Sequence, residues 1–253
     1  MSGVLWSWTD VDAFALADGA TQLVHRNGGA TLLVARDRLL PGDGYAEASA
    51  PTRRALARVG AILRLRQRGR FHLHASGLVD TRGRAWLFSG DTGAGKSTLA
   101  CALADAGWQV LGDDGVILER RERRVIAHPW RDALQVSAWM IPAFPRAGRV
   151  SGSPDARDPR FRVPVVAAAA RSAPLGGIVL PVRGAHDAIM RIAPAEALAA
   201  LVRQSPWVML GDRAAREHLE LLASLVVTTP AWRLEHTAAI LPLIRAEGLR
   251  IAA

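Results

Sequence analysis

Residues 89–98 read Ser89-Gly90-Asp91-Thr92-Gly93-Ala94-Gly95-Lys96-Ser97-Thr98, and they hold the single lysine of the chain. The sequence has 32 lysine and arginine residues together, and every one besides Lys96 is arginine. A composition that uses arginine wherever a generic positive charge suffices keeps lysine where arginine does not fit. Guanidinium is a wide planar fork, whereas the ammonium group is a compact point charge on a flexible stem. The stretch satisfies G-x-x-x-x-G-K-[ST], the phosphate-loop pattern. Its glycines let the backbone curl so that several N–H groups face one anion, and the helix after it adds its positive end. Residues Gly90, Asp91, Thr92, Gly93, Ala94, Gly95, Lys96, Ser97 and Thr98 are therefore the candidate nucleotide cradle. Within it Lys96 reaches the β- and γ-phosphates of ATP, and the Ser97 hydroxyl enters the shell of a Mg²⁺ ion.

The flanks agree with this reading. Ala85-Trp86-Leu87-Phe88 is a short apolar run suited to a buried strand. Thr98 through Ala106 is rich in alanine and leucine, as a helix requires, and Gly107 stops it. Strand, glycine loop and helix come in the order that the motif needs, and the expected class is α/β.

Half of the 253 residues are hydrophobic, enough for one large domain or a compact domain with a small extra lobe. No apolar run approaches the roughly 18 residues of a membrane-spanning helix, and a secretory leader is not expected. One cysteine excludes an internal disulfide and a cysteine-based zinc site, and Cys101 is expected as a small buried side chain. The expected location is the cytoplasm. The formal charge of +9 raises the question of nucleic acid, but the arginines are scattered and few tyrosines and phenylalanines exist to stack on bases. Nucleic acid and membrane are both set aside as partners. The eight tryptophans lie mostly in apolar context and read as core.

Residues 1–70 read as short strands and turns with an amphipathic helix over 51–68, together a small N-terminal lobe. Residues 71–253 read as the core that carries the phosphate loop. Within the core, Phe71–Val79 is expected as one alternating strand, Trp108–Leu111 as another, and 116–118 with 125–127 as a hairpin. Residues 141–164 are expected as a long irregular loop carrying Arg146, Arg149, Arg157, Arg160 and Arg162, either a solvated surface segment or one placed to receive an extended peptide through its carboxylates. Strands near 177–182 and 187–192 and helices near 194–204 and 212–226 complete the chain.

A phosphate loop needs a carboxylate for its metal, usually at the end of a neighbouring strand. Asp113 and Asp114 end the strand after the loop helix. Adjacent side chains on a strand point in different directions, so one can serve Mg²⁺ and the other can face an incoming hydroxyl. His74 lies in the strand leading toward the loop, two residues after His72.

The run from His74 through "SGLVD", "LFSGDTGAGKST" and "ALADAGWQVLGDDGVIL" resembles HPr kinase/phosphorylase and its smaller relatives. The resemblance implies a phosphate-loop core of the phosphoenolpyruvate-carboxykinase type and ATP- and Mg²⁺-dependent phosphorylation of a serine hydroxyl on a protein or peptide. It implies Lys96 on the ATP phosphates, Ser97 and Asp114 on Mg²⁺, Asp113 as the base toward the substrate serine, and His74 beside them. The Glu-Arg-Gly signature of the bifunctional enzymes is absent after the acidic pair, where "WRDALQVSAWMIP" stands, and the 253 residues are fewer than those enzymes have, so their large N-terminal domain is not expected. Phosphorylase activity and HPr itself as substrate are therefore not expected. Closer in pattern are the short relatives that act as peptide kinases in lasso-peptide tailoring. A small-molecule kinase and a non-catalytic ATP-binding module are the rival readings, and a homo-oligomer stays among the open alternatives.

Overall fold

The computed structural model describes residues 6–8, 10–17, 19–35, 38–130, 133–145, 161–164 and 171–237. They divide into two compact units, residues 1–71 with 207–218, and residues 72–206 with 219–253.

The first unit is a meander of five antiparallel strands and one helix. The strands are β1 (Trp6–Trp8), β2 (Val11–Ala15), β3 (Thr21–His25), β4 (Thr31–Val34) and β5 (Leu39–Pro41), hydrogen-bonded in chain order. Period-two alternation buries Val11, Ala13, Leu23 and Val34 on one face. Helix α1 (Ala50–Arg66) starts where the Ser49 hydroxyl accepts from the Thr52 amide at 3.3 Å, with Pro51 in its first turn. Leu56, Val59, Ile62 and Leu63 recur at helical spacing and are buried in the core of this unit. At the end of α1 the buried Arg66 guanidinium grips both oxygens of Asp212, at 2.8 and 2.7 Å. Burial pushes the Asp212 carboxyl up, but its bonds to Arg66 and the Ala215 amide outweigh this and hold it below the usual range.

The chain continues through β6 (Arg70–Leu73), β7 (Ser76–Val79), β8 (Ala85–Phe88), α2 (Lys96–Asp105), β9 (Gln109–Gly112), β10 (Val116–Arg121), β11 (Arg124–Pro129), β12 (Ala133–Val136), α3 (Met140–Ala143), β13 (Phe161–Pro164), β14 (Ala173–Arg183), β15 (Ala188–Arg191), α4 (Pro194–Arg203), α5 (Arg213–Thr228) and β16 (Ala231–His236). One mixed sheet runs β6-β10-β11-β14-β8-β7-β9, with β16 joined to β14 and β15 to β16. The protein is thus a mixed α/β fold.

The direction of the strands matters most for function. β8 is parallel to β14, and β14 is parallel to β16. β7 is antiparallel to both β8 and β9, so β9 runs the same way as β8. The carboxyl ends of β8, β9, β14 and β16 therefore emerge at one edge, the edge where open α/β sheets bind ligands. In that order, these ends carry the glycine loop, Asp113-Asp114, Arg183 and His236.

Helix α2 is buried on almost every side from Leu99 to Asp105, which explains its alanine-rich sequence. Phe88, Trp86, Trp108 and Trp232 surround the same core, with Trp86 5.5 Å from Trp232 and 6.1 Å from Trp108. Cys101 lies within it, and burial pushes its thiol well above the ordinary range, so it is packing rather than chemistry.

Two sequence expectations change. Phe71–Val79 is two strands, because the chain breaks at His74-Ala75 and pairs β6 and β7 with different partners. Residues 141–164 are not one irregular loop: α3 occupies the start, and β13 at the end pairs with β12, Val136 opposite Phe161. Arg146, Arg149, Arg157 and Arg160 lie outside the described residues, and Arg162 is described only as part of strand β13.

Candidate functional site

The glycine loop leaves β8 and enters α2 through two residues in the left-handed region, Gly93 at φ +84° and Gly95 at φ +92°. An L side chain is strained at both angles, so the motif's glycines answer a backbone demand. Gly95 is also the N-cap residue of α2 and meets a neighbour closely. A Cβ there would lie 2.8 Å from Cε1 and Nε2 of His236. His236 Nε2 donates to the Ala94 carbonyl at 3.0 Å, tying the end of β16 to the loop.

Lys96 folds into the concave side of this turn. Its Nζ donates to the Gly90 carbonyl at 2.6 Å and to the Asp91 carbonyl at 3.0 Å. Burial draws the ammonium below its ordinary pKa, opposed by the charges of Asp113, Asp114 and Asp91. The single lysine is thus a shielded cation, embraced by carbonyls and sharing a cavity with Asp113 and Asp114. Guanidinium, with five donors in a rigid plane, has no equivalent seat among two carbonyls of a tight loop.

Asp113 and Asp114 come after β9 and enter the same space. Asp113 is 1% exposed, and the Ser76 hydroxyl donates to its Oδ1 at 2.7 Å. Asp114 is half-buried and holds His74 through the backbone: His74 Nδ1 donates to the Asp114 carbonyl at 3.2 Å. A carbonyl only accepts, so this bond places a proton on Nδ1. His72, two residues earlier, has a different environment. It is buried edge-on to Trp130, ring centroids 5.4 Å apart, because the break at His74 ends the alternation. Gly115 completes the acidic turn for a steric reason. A Cβ at this position would sit 2.2 Å from His72 Nε2 and 2.8 Å from Trp130.

His74, Thr92, Gly93, Gly95, Lys96, Ser97, Thr98, Asp113 and Asp114 line one cavity of about 310 Å³, with Ser137, Met140 and Arg183. Nine of the sequence candidates meet there. Gly90, Asp91 and Ala94 instead line a neighbouring cavity of about 320 Å³ on the other flank of the loop, beside Glu196, Arg203, Gln204 and Arg233. Gln204 steadies that flank by donating to Asp91 Oδ1 at 3.1 Å, and Arg233 pairs with Glu196. Among the described residues no group of three or more His, Cys, Asp or Glu side chains is arranged to hold a metal ion by itself. The donor set at Ser97, Asp113 and Asp114 is all oxygen and short of a full cage. It suits a hard cation that keeps waters and takes further oxygens from phosphate, as Mg²⁺ does.

Three residues of the site escape a reading of the motif. Ser76 looks like an ordinary strand serine until β7 is laid beside the end of β9. Arg183 lines the cavities on both flanks of the loop and has no ion-pair partner among the described residues, yet nothing in "LPVRGAH" sets it apart from 30 other arginines. His236 ends a strand that the sequence did not disclose.

No protein-family model matches the chain. No curated protein matches it. Among solved structures, the HPr(Ser) kinase/phosphatase from Coxiella burnetii is similar at a TM-score of 0.37 and 13% identity, over 69% of this chain and 91% of that one.

Proposed function

We propose that the protein is an ATP- and Mg²⁺-dependent kinase that phosphorylates a serine hydroxyl on a peptide or protein, with a core of the phosphoenolpyruvate-carboxykinase/HPr-kinase type. The observation that carries this reading is the position of Lys96, folded into a glycine loop at the carboxyl edge of the sheet and lining one cavity with Asp113 and Asp114. Lysine, loop amides and the start of α2 supply the positive side on which a triphosphate is held. Two carboxylates supply the negative side, where a metal and an acceptor hydroxyl meet.

The two acids then take different work. Asp114, open to the cavity, holds Mg²⁺ with Ser97, and the metal neutralises charge on the phosphates. Asp113 is shielded from water and fixed by Ser76, so it orients the acceptor hydroxyl and accepts its proton. His74 is held beside them by the Asp114 carbonyl and borders the same space.

Mg·ATP affinity and phosphoryl transfer to serine-bearing peptides, measured on wild type and two variants, test the division. Asp113→Asn should bind Mg·ATP nearly as wild type while turnover drops by about two orders of magnitude or more. Asp114→Asn should lose Mg²⁺ affinity as well. Equal loss of Mg·ATP binding in both variants would show that the acids share one role.

A further inference from the structure

The helix end of the glycine loop borders two cavities. Lys96, Asp113 and Asp114 line the one where the proposed phosphoryl transfer belongs. Beside it, past Ser97, lies a second cavity of about 400 Å³, lined by Gly95, Thr98, Trp139, Arg183, Gly184, His236 and Thr237. This volume falls within the usual range of small-molecule sites. Among the described residues, no carboxylate lines it.

Trp139 is the unusual member. Trp86, Trp108, Trp207 and Trp232 are all 8% exposed or less, yet Trp139 is 56% exposed on the wall of this cavity. An indole face left in water beside a phosphate site has the form of a stacking platform, since every base offers a π-face and stacking is indifferent to its edge. Arg183 adds a cation at the junction, because it lines both this cavity and the one holding Lys96. A nucleotide with its outer phosphates at Lys96 has its inner phosphates near Thr98 and Arg183, and its nucleoside beyond them. The cavity on the loop's other flank has no aromatic wall among the described residues. Its lining mixes Leu180, Pro181 and Val182 with Glu196, Arg203, Gln204 and Arg233, and it offers no flat ring for a base to stack on.

We propose that the nucleoside of the bound nucleotide occupies the Thr98–Trp139–His236 cavity with its base stacked on Trp139, an assignment that rests on the nucleotide reading of the glycine loop. Recognition is by ring surface, so purine triphosphates bind better than pyrimidine ones, and ATP and GTP differ little.

The experiment compares Mg·ATP with inorganic tripolyphosphate, which has the phosphates and no nucleoside. Calorimetric affinities are taken for wild type, Trp139→Ala, Trp139→Phe and Arg203→Ala, with melting curves to confirm folding. Trp139→Ala should weaken Mg·ATP about tenfold and leave tripolyphosphate unchanged, while Trp139→Phe recovers most of the loss. Arg203→Ala should leave the ratio of the two affinities as in wild type. If Trp139→Ala leaves that ratio unchanged, the base is not on Trp139. If Arg203→Ala alone changes it, the nucleoside lies on the other flank. A wild-type protein that binds neither ligand overturns the nucleotide reading and this assignment with it; binding of tripolyphosphate together with an indifferent Trp139→Ala overturns the assignment alone.

Discussion

At the scale of single residues, the proposed chemistry concentrates in Lys96, Asp113 and Asp114. The Lys96 ammonium is seated on two loop carbonyls 2.6 and 3.0 Å away, a geometry set by a point charge on a flexible stem. Lys96→Arg should therefore fail almost as completely as Lys96→Ala, with turnover below about a tenth of wild type in either. A steady-state assay that finds more than this in the arginine variant removes the reason for the lone lysine. Ser76 works through Asp113, whose Oδ1 it holds at 2.7 Å. It is a positioning residue, and Ser76→Ala should lower kcat while the KM for Mg·ATP stays put, with Ser76→Thr restoring the hydroxyl and most of the rate. A matched rise in KM in the alanine variant would instead mark a general collapse of the site.

At the scale of elements, the site depends on a strand-to-helix junction that only glycine can make. Gly95→Ala forces φ +92° on an L residue and drives a Cβ to 2.8 Å from the His236 ring. The backbone strain costs about 1–2 kcal/mol, and the clash either moves His236 or rotates the first turn of α2. Gly83 is a fair control, at φ +77° with nothing within 4 Å of its missing Cβ. Gly83→Ala should lower the melting temperature with Mg·ATP affinity intact, whereas Gly95→Ala should lower both. Equal nucleotide affinity in the two variants would mean that the junction tolerates its neighbour. The elements themselves were unevenly legible. β8, α2 and the β10–β11 hairpin announce themselves through an apolar run, an alanine-rich stretch and paired apolar segments around an arginine-rich turn. β12 and β13 do not, because they are short strands that pair, among the described residues, with each other, 28 residues apart from Ala133 to Phe161 in sequence.

At the scale of the whole molecule, stability carries a pH dependence that begins in one buried ring. His218 is fully buried against Phe71, ring centroids 4.7 Å apart, and neither ring nitrogen has a hydrogen-bond partner among the described residues. Burial, and then the charge of Arg66, lower its pKa from 6.5 to about 3. Below about pH 6.5 the unfolded chain takes up a proton that the folded chain refuses. Stability is therefore full above that pH and falls on acidification by up to about 1.4 kcal/mol per pH unit, until the folded ring titrates too. Melting curves between pH 7 and 5, a window where carboxylates contribute little, should show this slope in wild type and lose it in His218→Phe. An unchanged slope in that variant would place the titration elsewhere. The same division between local and distant causes separates what the sequence determined from what it did not. The glycine loop, its lysine, Ser97 and the paired aspartates were legible because each is dictated by neighbours within a few residues: backbone angles, a helix start, the end of a strand. Ser76 under Asp113, Arg183 at the junction of two cavities, His236 against Gly95 and the exposed face of Trp139 were settled only by the tertiary structure. They come from strands and a short helix far apart in the chain, and parallel pairing of β8, β14 and β16 brings their ends to one edge. That pairing is a property of the assembled sheet, and no local periodicity encodes it.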